Sequence, residues 1–158
     1  MTTYSHSQLS TYETCPQQYK LAYIDKIEVE TEGIEAFMGS RVHDALEKLY
    51  RDLKVTKLNT LEELLNFYQG NWDKNWNDMI QIIRKEYSAE DYRRLGERCI
   101  TNYYKRYYPF DQGKTLALEE NIYFPLEEEK GYWIKGFIDR LALVDDRILE
   151  IHDYKTSN

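Results

Sequence analysis

The stretch GFIDRLALVDDRILEIHDYKTS, residues 136–157, decides how this chain is read. Apolar β-formers flank Val144-Asp145-Asp146-Arg147, a turn signal between two strands. Strand alternation places Trp133, Phe137, Asp139 and Leu141 on one face of the first run. It places Leu149, Ile151, Asp153 and Lys155 on one face of the second. Each run therefore sets a carboxylate on an otherwise largely apolar face, which is costly unless the charge is paired or bound to a cation. Asp139 and Asp153 are 14 residues apart around a tight turn, so they fall near the same end of the sheet. Two carboxylates offer hard oxygen ligands to a divalent cation. Such a cation polarises a phosphate oxygen and acidifies water. Lys155, two residues past Asp153, is placed to stabilise developing negative charge, and an apolar surround would depress its pKa. Asp153-Tyr154-Lys155 taken alone reads first as a surface ion pair on an edge strand. Gly136 strengthens the chemical reading, because a glycine interrupting a strand marks a bulge or close approach that could aim Asp139.

Upstream, Glu129-Lys130-Gly131 is a second turn signal. Three strand-like runs result, Thr115–Leu126, Tyr132–Val144 and Ile148–Thr156, and their short connections predict an antiparallel meander. The rest of the chain reads as helix. Ser5 and Ser7 are candidate caps for a segment from Ser7 to Ile24, broken where Pro16 opens a second short helix. Glu28–Gly33 reads as an acidic loop. Val42, Ala45, Leu46 and Leu49 form the apolar stripe of a helix over Ile34–Leu53, with Gly39, Ser40, His43, Glu47 and Tyr50 as a second stripe. Capping-box patterns at Thr60/Glu63 and Ser88/Asp91 predict helices over Thr60–Ile83 and Ser88–Tyr107. The whole reads as one domain, 1–158, with a mainly helical part over 1–110 and a strand part over 115–157.

Composition narrows the function classes. A net charge of −7 excludes a uniformly basic nucleic-acid coat, so any anionic partner needs a local basic patch or a bound cation. No apolar run approaches a membrane span, and the N-terminus lacks a secretory pattern, so the expected compartment is cytoplasmic. Two cysteines, Cys15 and Cys99, do not make a disulfide framework. Fifteen tyrosines are an excess that suits a contact surface. Tyr103-Tyr104-Lys105-Arg106-Tyr107-Tyr108 interleaves aromatics with cations. Together with Arg93 and Arg94 it makes Arg93, Arg94, Tyr104, Lys105 and Arg106 the best DNA-facing candidates. The alternative is tyrosines packed on the core with solvated cations.

The 136–157 stretch resembles motifs II and III of the PD-(D/E)XK nuclease superfamily, and more narrowly its RecB-like branch: the nuclease domains of RecB and AddB and the CRISPR-associated adaptation exonucleases. The branch pattern is Gly-x-Ile-Asp-Arg, a turn, then Asp-Tyr-Lys-Thr, and each of these residues is present. Ser5, Ser7, Leu9, Tyr12, Cys15, Pro16 and Tyr19 match the branch opening, and Gly39-Ser40-Arg41-Val42-His43 resembles its Gly-x-x-x-His helix. The resemblance implies a restriction-endonuclease-like α/β core with N-terminal helices and a three-stranded antiparallel sheet. It implies that His43, Asp139, Asp153 and the main-chain carbonyl of Tyr154 bind Mg²⁺ or Mn²⁺, and that Lys155 is the catalytic lysine beside Asp139 and Asp153. Glu119 stands near the place of a first-strand glutamate, with Glu120 competing for that role.

Two departures qualify the resemblance. The family core continues with a helix and strand after the Asp-x-Lys strand, and they are missing here, so the sequence reads as apparently truncated. Some relatives hold an iron–sulfur cluster through a cysteine at the position of Cys15 and three more near the C-terminus. That triplet is absent, so no cluster is expected and Cys15 would be a ligand only in a longer form. The resemblance implies a metal-dependent DNA exonuclease of repair or recombination, with DNA and a helicase or recombination factor as partners. The alternative is a catalytically incomplete DNA-binding or protein-interaction module. An exposed last strand would invite pairing with a second copy as a homo-oligomer.

Overall fold

The computed structural model describes residues 2–156. Met1, Ser157, Asn158 and the side chain of Glu128 lie outside the described residues, so the last position of the 115–157 strand part is not covered. The chain forms two compact units, one of Met1–Glu30 with Glu119–Ile138 and one of Thr31–Leu118 with Asp139–Asn158. Helices and a mixed sheet agree with the expected α/β class.

In the first unit, β1 (Thr2–Ser5) pairs in parallel with the start of β5 (Tyr132–Asp145), Thr2 opposite Tyr132 and Ser5 opposite Lys135. Among the described residues the sheet therefore has four strands and is mixed, where the sequence predicted three antiparallel ones. Thr-Thr-Tyr-Ser is too short to display alternation, and its partner lies far along the chain, so no local signal announced it. Ser5 ends β1 and caps α1 (His6–Thr14): its Oγ accepts the Gln8 N–H at 3.2 Å, and Gln8 Oε1 accepts the Ser5 N–H at 3.4 Å. Cys15 turns extended, and Pro16 opens α2 (Pro16–Tyr19) at a position that needs no N–H donor. α2 continues into a π-helical turn over Lys20–Ile24. Tyr123 of β4 (Lys114–Glu127) stacks on Trp133 of β5, with ring centroids 4.7 Å apart.

The second unit is built on α3 (Ile34–Lys54). Its buried stripe contains Val42, Ala45, Leu46 and Leu49, as the periodicity predicted, and extends to Ile34, Phe37, Met38 and Tyr50. It packs on Leu64, Tyr68 and Trp72 of α4 (Leu61–Asn75) and on Tyr92 and Ile100 of α5 (Ala89–Tyr107). Both predicted capping boxes are formed. α4 ends at Asn75, short of Ile83, because Trp76 is extended and Asn77 Oδ1 accepts the Met79 N–H at 2.9 Å in a local turn. The residues beyond form β3 (Ile80–Gln81), paired in parallel with β2 (Glu32–Gly33), at the end of the predicted loop. β6 (Ile148–His152) is antiparallel to β5, with Arg140 opposite His152 and a bulge near Asp145. Residues 153–156 continue without a ladder.

Two contacts in this unit set measurable energies. A Cβ on Gly96 would lie 2.1 Å from the Tyr68 hydroxyl, so α4 and α5 approach closely only because that residue is glycine. Gly96→Ala should lower stability by about 1–3 kcal/mol in urea unfolding despite its gain in helix propensity; a stabilised variant would contradict this packing. Asp52 Oδ2 accepts Lys48 Nζ at 2.7 Å and the amide of buried Asn59 at 2.9 Å, with Lys57 at 3.4 Å. The Lys48 hydrogen bond, then that of Asn59, holds the Asp52 carboxyl down at about 2. A depressed folded pKa gives stability that is present above the unfolded value near 4 and lost as pH falls towards 2. Asp52→Asn should flatten the acid limb of stability over that window by about 1 kcal/mol after solvent screening, read by urea unfolding at each pH.

Candidate metal centre

The second helical stripe of α3 faces the segment after β6. Gly39 gives room to Thr156, whose Oγ1 would be 3.2 Å from an added Cβ. One turn on, His43 Nε2 lies 2.8 Å from the Tyr154 carbonyl oxygen. A carbonyl only accepts, so His43 donates through Nε2–H, and in the neutral imidazole Nδ1 is then the acceptor. Nδ1 stands 3.6 Å from Asp139 Oδ2. Asp139 is 9% exposed, and the same oxygen accepts the Tyr154 N–H at 2.6 Å. One carboxylate and one imidazole thus clamp both main-chain groups of Tyr154. The side chain of Tyr154 is buried beside Tyr103, 5.5 Å between centroids, and edge-on to His43.

Next to Asp139, Arg140 is buried under the sheet. Its guanidinium carbon lies 3.9 Å over the Tyr50 ring, one Nη donates to His152 Nε2 at 2.8 Å, and the other reaches Thr115 Oγ1 at 3.3 Å. Burial, then the Arg140 charge, pushes the His152 pKa below its ordinary value, consistent with a neutral imidazole accepting from the guanidinium. Tyr50 donates to or accepts from Tyr103 at 2.7 Å, and burial raises the pKa of Tyr50, Tyr103 and Tyr154 above the usual phenol range. Arg140 and its aromatic surround were missed by the sequence reading, which left His152 without a role. The available signal was the other face of the strand, where Ile134, Ile138, Ala142 and Val144 surround Arg140 with apolar positions.

The remaining candidates sit as follows. Asp153 and Lys155 are exposed and pair with each other at 2.8 Å. Among the described residues, Asp153 belongs to no group of three ligating side chains with donor atoms within 4.8 Å of one another. The apolar surround expected for Lys155 is not formed, because Leu149 and Ile151 on the same side of β6 are 58% and 67% exposed. Glu119 stands on β4 with a left-handed φ of 48°, which breaks the alternation of that strand and explains why alternation could not separate it from Glu120. On α5, Arg93 pairs with Asp73 at 3.0 Å, Arg94 pairs with Glu90 at 3.0 Å, and the Tyr104 hydroxyl donates to the Asn59 carbonyl at 3.0 Å. Lys105 and Arg106 are exposed, and Arg106 lies over the Tyr107 ring. Cys15 Sγ accepts the Gln18 N–H as the cap of α2. No described helix is long and apolar enough to cross a membrane.

The donor set at the clamp fits a divalent cation. With Nε2 carrying the hydrogen of the neutral imidazole, Nδ1 and Asp139 Oδ2, 3.6 Å apart, are both electron-pair donors. Neighbouring ligands on a hard cation at about 2.1 Å lie about 3 Å apart, against 3.6 Å here. The Tyr154 carbonyl keeps a second lone pair beyond the one used by His43. Binding at such a preformed pair raises thermal stability by mass action. Mn²⁺ should therefore raise the melting temperature of the chain, and Asp139→Asn should abolish the rise; an equal rise in the variant would move the cation elsewhere.

Residues 3–158 match the family model of the PD-(D/E)XK nuclease superfamily. The chain is also 26% identical, over 178 residues of alignment, to the Gene 69 protein of Mycobacterium phage D29. That alignment takes in 98% of this chain and 62% of the phage protein, so the chain spans less than two thirds of that relative's length.

Proposed function

Because the chain belongs to the PD-(D/E)XK nuclease superfamily, we propose that it is a metal-dependent deoxyribonuclease of the RecB-like branch, acting as an exonuclease on DNA ends in repair or recombination. The observation that carries this reading is the convergence of His43 Nδ1 and the buried Asp139 carboxylate on one point beside Tyr154. In this reading His43, Asp139, Asp153 and the Tyr154 carbonyl hold Mg²⁺ or Mn²⁺. When bound, the cation supplies polarisation of a phosphate oxygen and a more acidic water. The chain's own residues do the rest. Asp139 fixes the Tyr154 amide, and His43 fixes its carbonyl, so the Asp153-to-Lys155 segment is held at both of its central polar groups. Lys155 turns from Asp153 towards the phosphate and stabilises the added negative charge there. DNA, a helicase or recombination factor, a second copy of the chain and a cytoplasmic location complete the proposal.

A second reading is a scaffold that binds DNA or protein without turnover. It draws on one observation: Asp153 and Lys155 are paired with each other in solvent. End-labelled linear DNA with Mn²⁺ separates the two. The nuclease reading expects cleavage that a chelator stops and that Lys155→Ala lowers by about 100-fold or more without changing the melting temperature. Cleavage at the wild-type rate by Lys155→Ala would remove Lys155 from the chemistry, and no cleavage by the wild type would favour the scaffold.

A further inference from the structure

A cavity of about 540 Å³ opens beside the first turns of α5, in the second unit, lined by Arg84, Arg94, Arg98, Tyr87 and Tyr92. It shares no residue with the clamp around Tyr154. From Arg94 to Tyr103, the α5 residue nearest that clamp, the helix rises about 14 Å. Arginine ion pairs among the described residues are those of Arg41, Arg51, Arg93 and Arg94, which leaves Arg84 and Arg98 without one. The Arg94 pair with Glu90 is exposed at both ends and so weakly held. Asp91 is the acidic residue in the lining, and its carboxylate already accepts the Ser88 N–H at 2.8 Å and hydroxyl at 2.6 Å. The cavity is therefore a cationic spot on a chain of net charge −7.

Its aromatic side is also built. The Tyr92 hydroxyl donates to Glu35 Oε1 at 2.7 Å, which fixes that ring. Tyr87 rests edge-to-face on it, with centroids 6.1 Å apart, and remains 49% exposed. The Ser88 capping box sets the backbone between Tyr87 and the helix.

We propose that this cavity binds one nucleotide unit, with its phosphate on Arg84 and Arg98 and its base stacked on Tyr87. Guanidinium groups pair with phosphate through parallel N–H donors, and any base offers a face to an exposed aromatic ring. The volume lies in the range of small-molecule sites, where a bare anion would leave most of the space empty. The nucleotide is either free or part of a strand, the recognised chemistry being the same. The site goes beyond the metal-centre reading and does not depend on it, since neither contact uses a divalent cation.

The test uses the full chain in EDTA, where cleavage is off, and fluorescence anisotropy of a labelled short oligothymidylate. Arg84→Ala with Arg98→Ala should weaken binding by about 10-fold or more and reduce the salt slope by about 1. Tyr87→Ala should weaken it by about 10-fold, and Arg98→Lys should fall between wild type and the double variant. Melting temperatures should stay at the wild-type value, since these side chains are exposed. Displacement of the oligonucleotide by dTMP would identify a free nucleotide as a ligand; resistance to dTMP with loss in the variants would assign the site to a strand. Wild-type affinity in the folded variants, no binding by the wild type, or displacement by inorganic phosphate at the dTMP concentration would each overturn the proposal.

Discussion

The buried carboxylate of Asp139 is the constraint from which the candidate site follows. A carboxylate at 9% exposure must be satisfied, and here it accepts a main-chain N–H and faces a histidine. A charge-assisted hydrogen bond of this kind is worth about 1.5–3 kcal/mol. It holds the extended segment after β6 where no ladder holds it. The carbonyl of the same residue, Tyr154, is taken by His43, which sets the imidazole tautomer and turns Nδ1 towards Asp139. One residue thereby ties the strand tail to α3 and leaves His43 Nδ1 3.6 Å from the Asp139 carboxylate.

The surroundings keep that arrangement rigid. Arg140 follows Asp139 directly, so the strand delivers an anion and a cation to neighbouring points against α3. The cation is covered by Tyr50 and bonded to His152 and Thr115. Tyr50 and Tyr154 are buried, and half-buried Tyr103 joins them, its hydroxyl hydrogen-bonded to that of Tyr50 and its ring edge-on to Tyr154. Part of the tyrosine excess is thus structural, while Tyr12, Tyr87, Tyr108 and Tyr123 remain exposed.

Legibility followed the range of the signal. The α3 stripe, both capping boxes and the two hairpin turns are local patterns, and they read correctly. β1 and the β2–β3 pair are short and depend on partners distant in sequence, so nothing local marked them. At the site, Asp139 is buried, yet alternation did not mark its face as covered: Phe137 on the same predicted face is 69% exposed, and Arg140 on the other face is buried. The same rule misjudged the setting of Lys155, because apolar residue types on an edge strand do not guarantee cover. Glu119 and Glu120 stayed unresolved because a left-handed residue breaks the period the rule relies on.

The central claim is that His43 presents Nδ1 as a free lone pair beside Asp139 for a cation. Long-range ¹⁵N–¹H correlation spectra of the histidine side chains measure this directly. The account predicts the Nε2–H tautomer for His43 in the chelated protein, with Nδ1 alone shifting strongly as Mg²⁺ is added. A proton resident on Nδ1, or an Nδ1 resonance unmoved at saturating Mg²⁺, would contradict it.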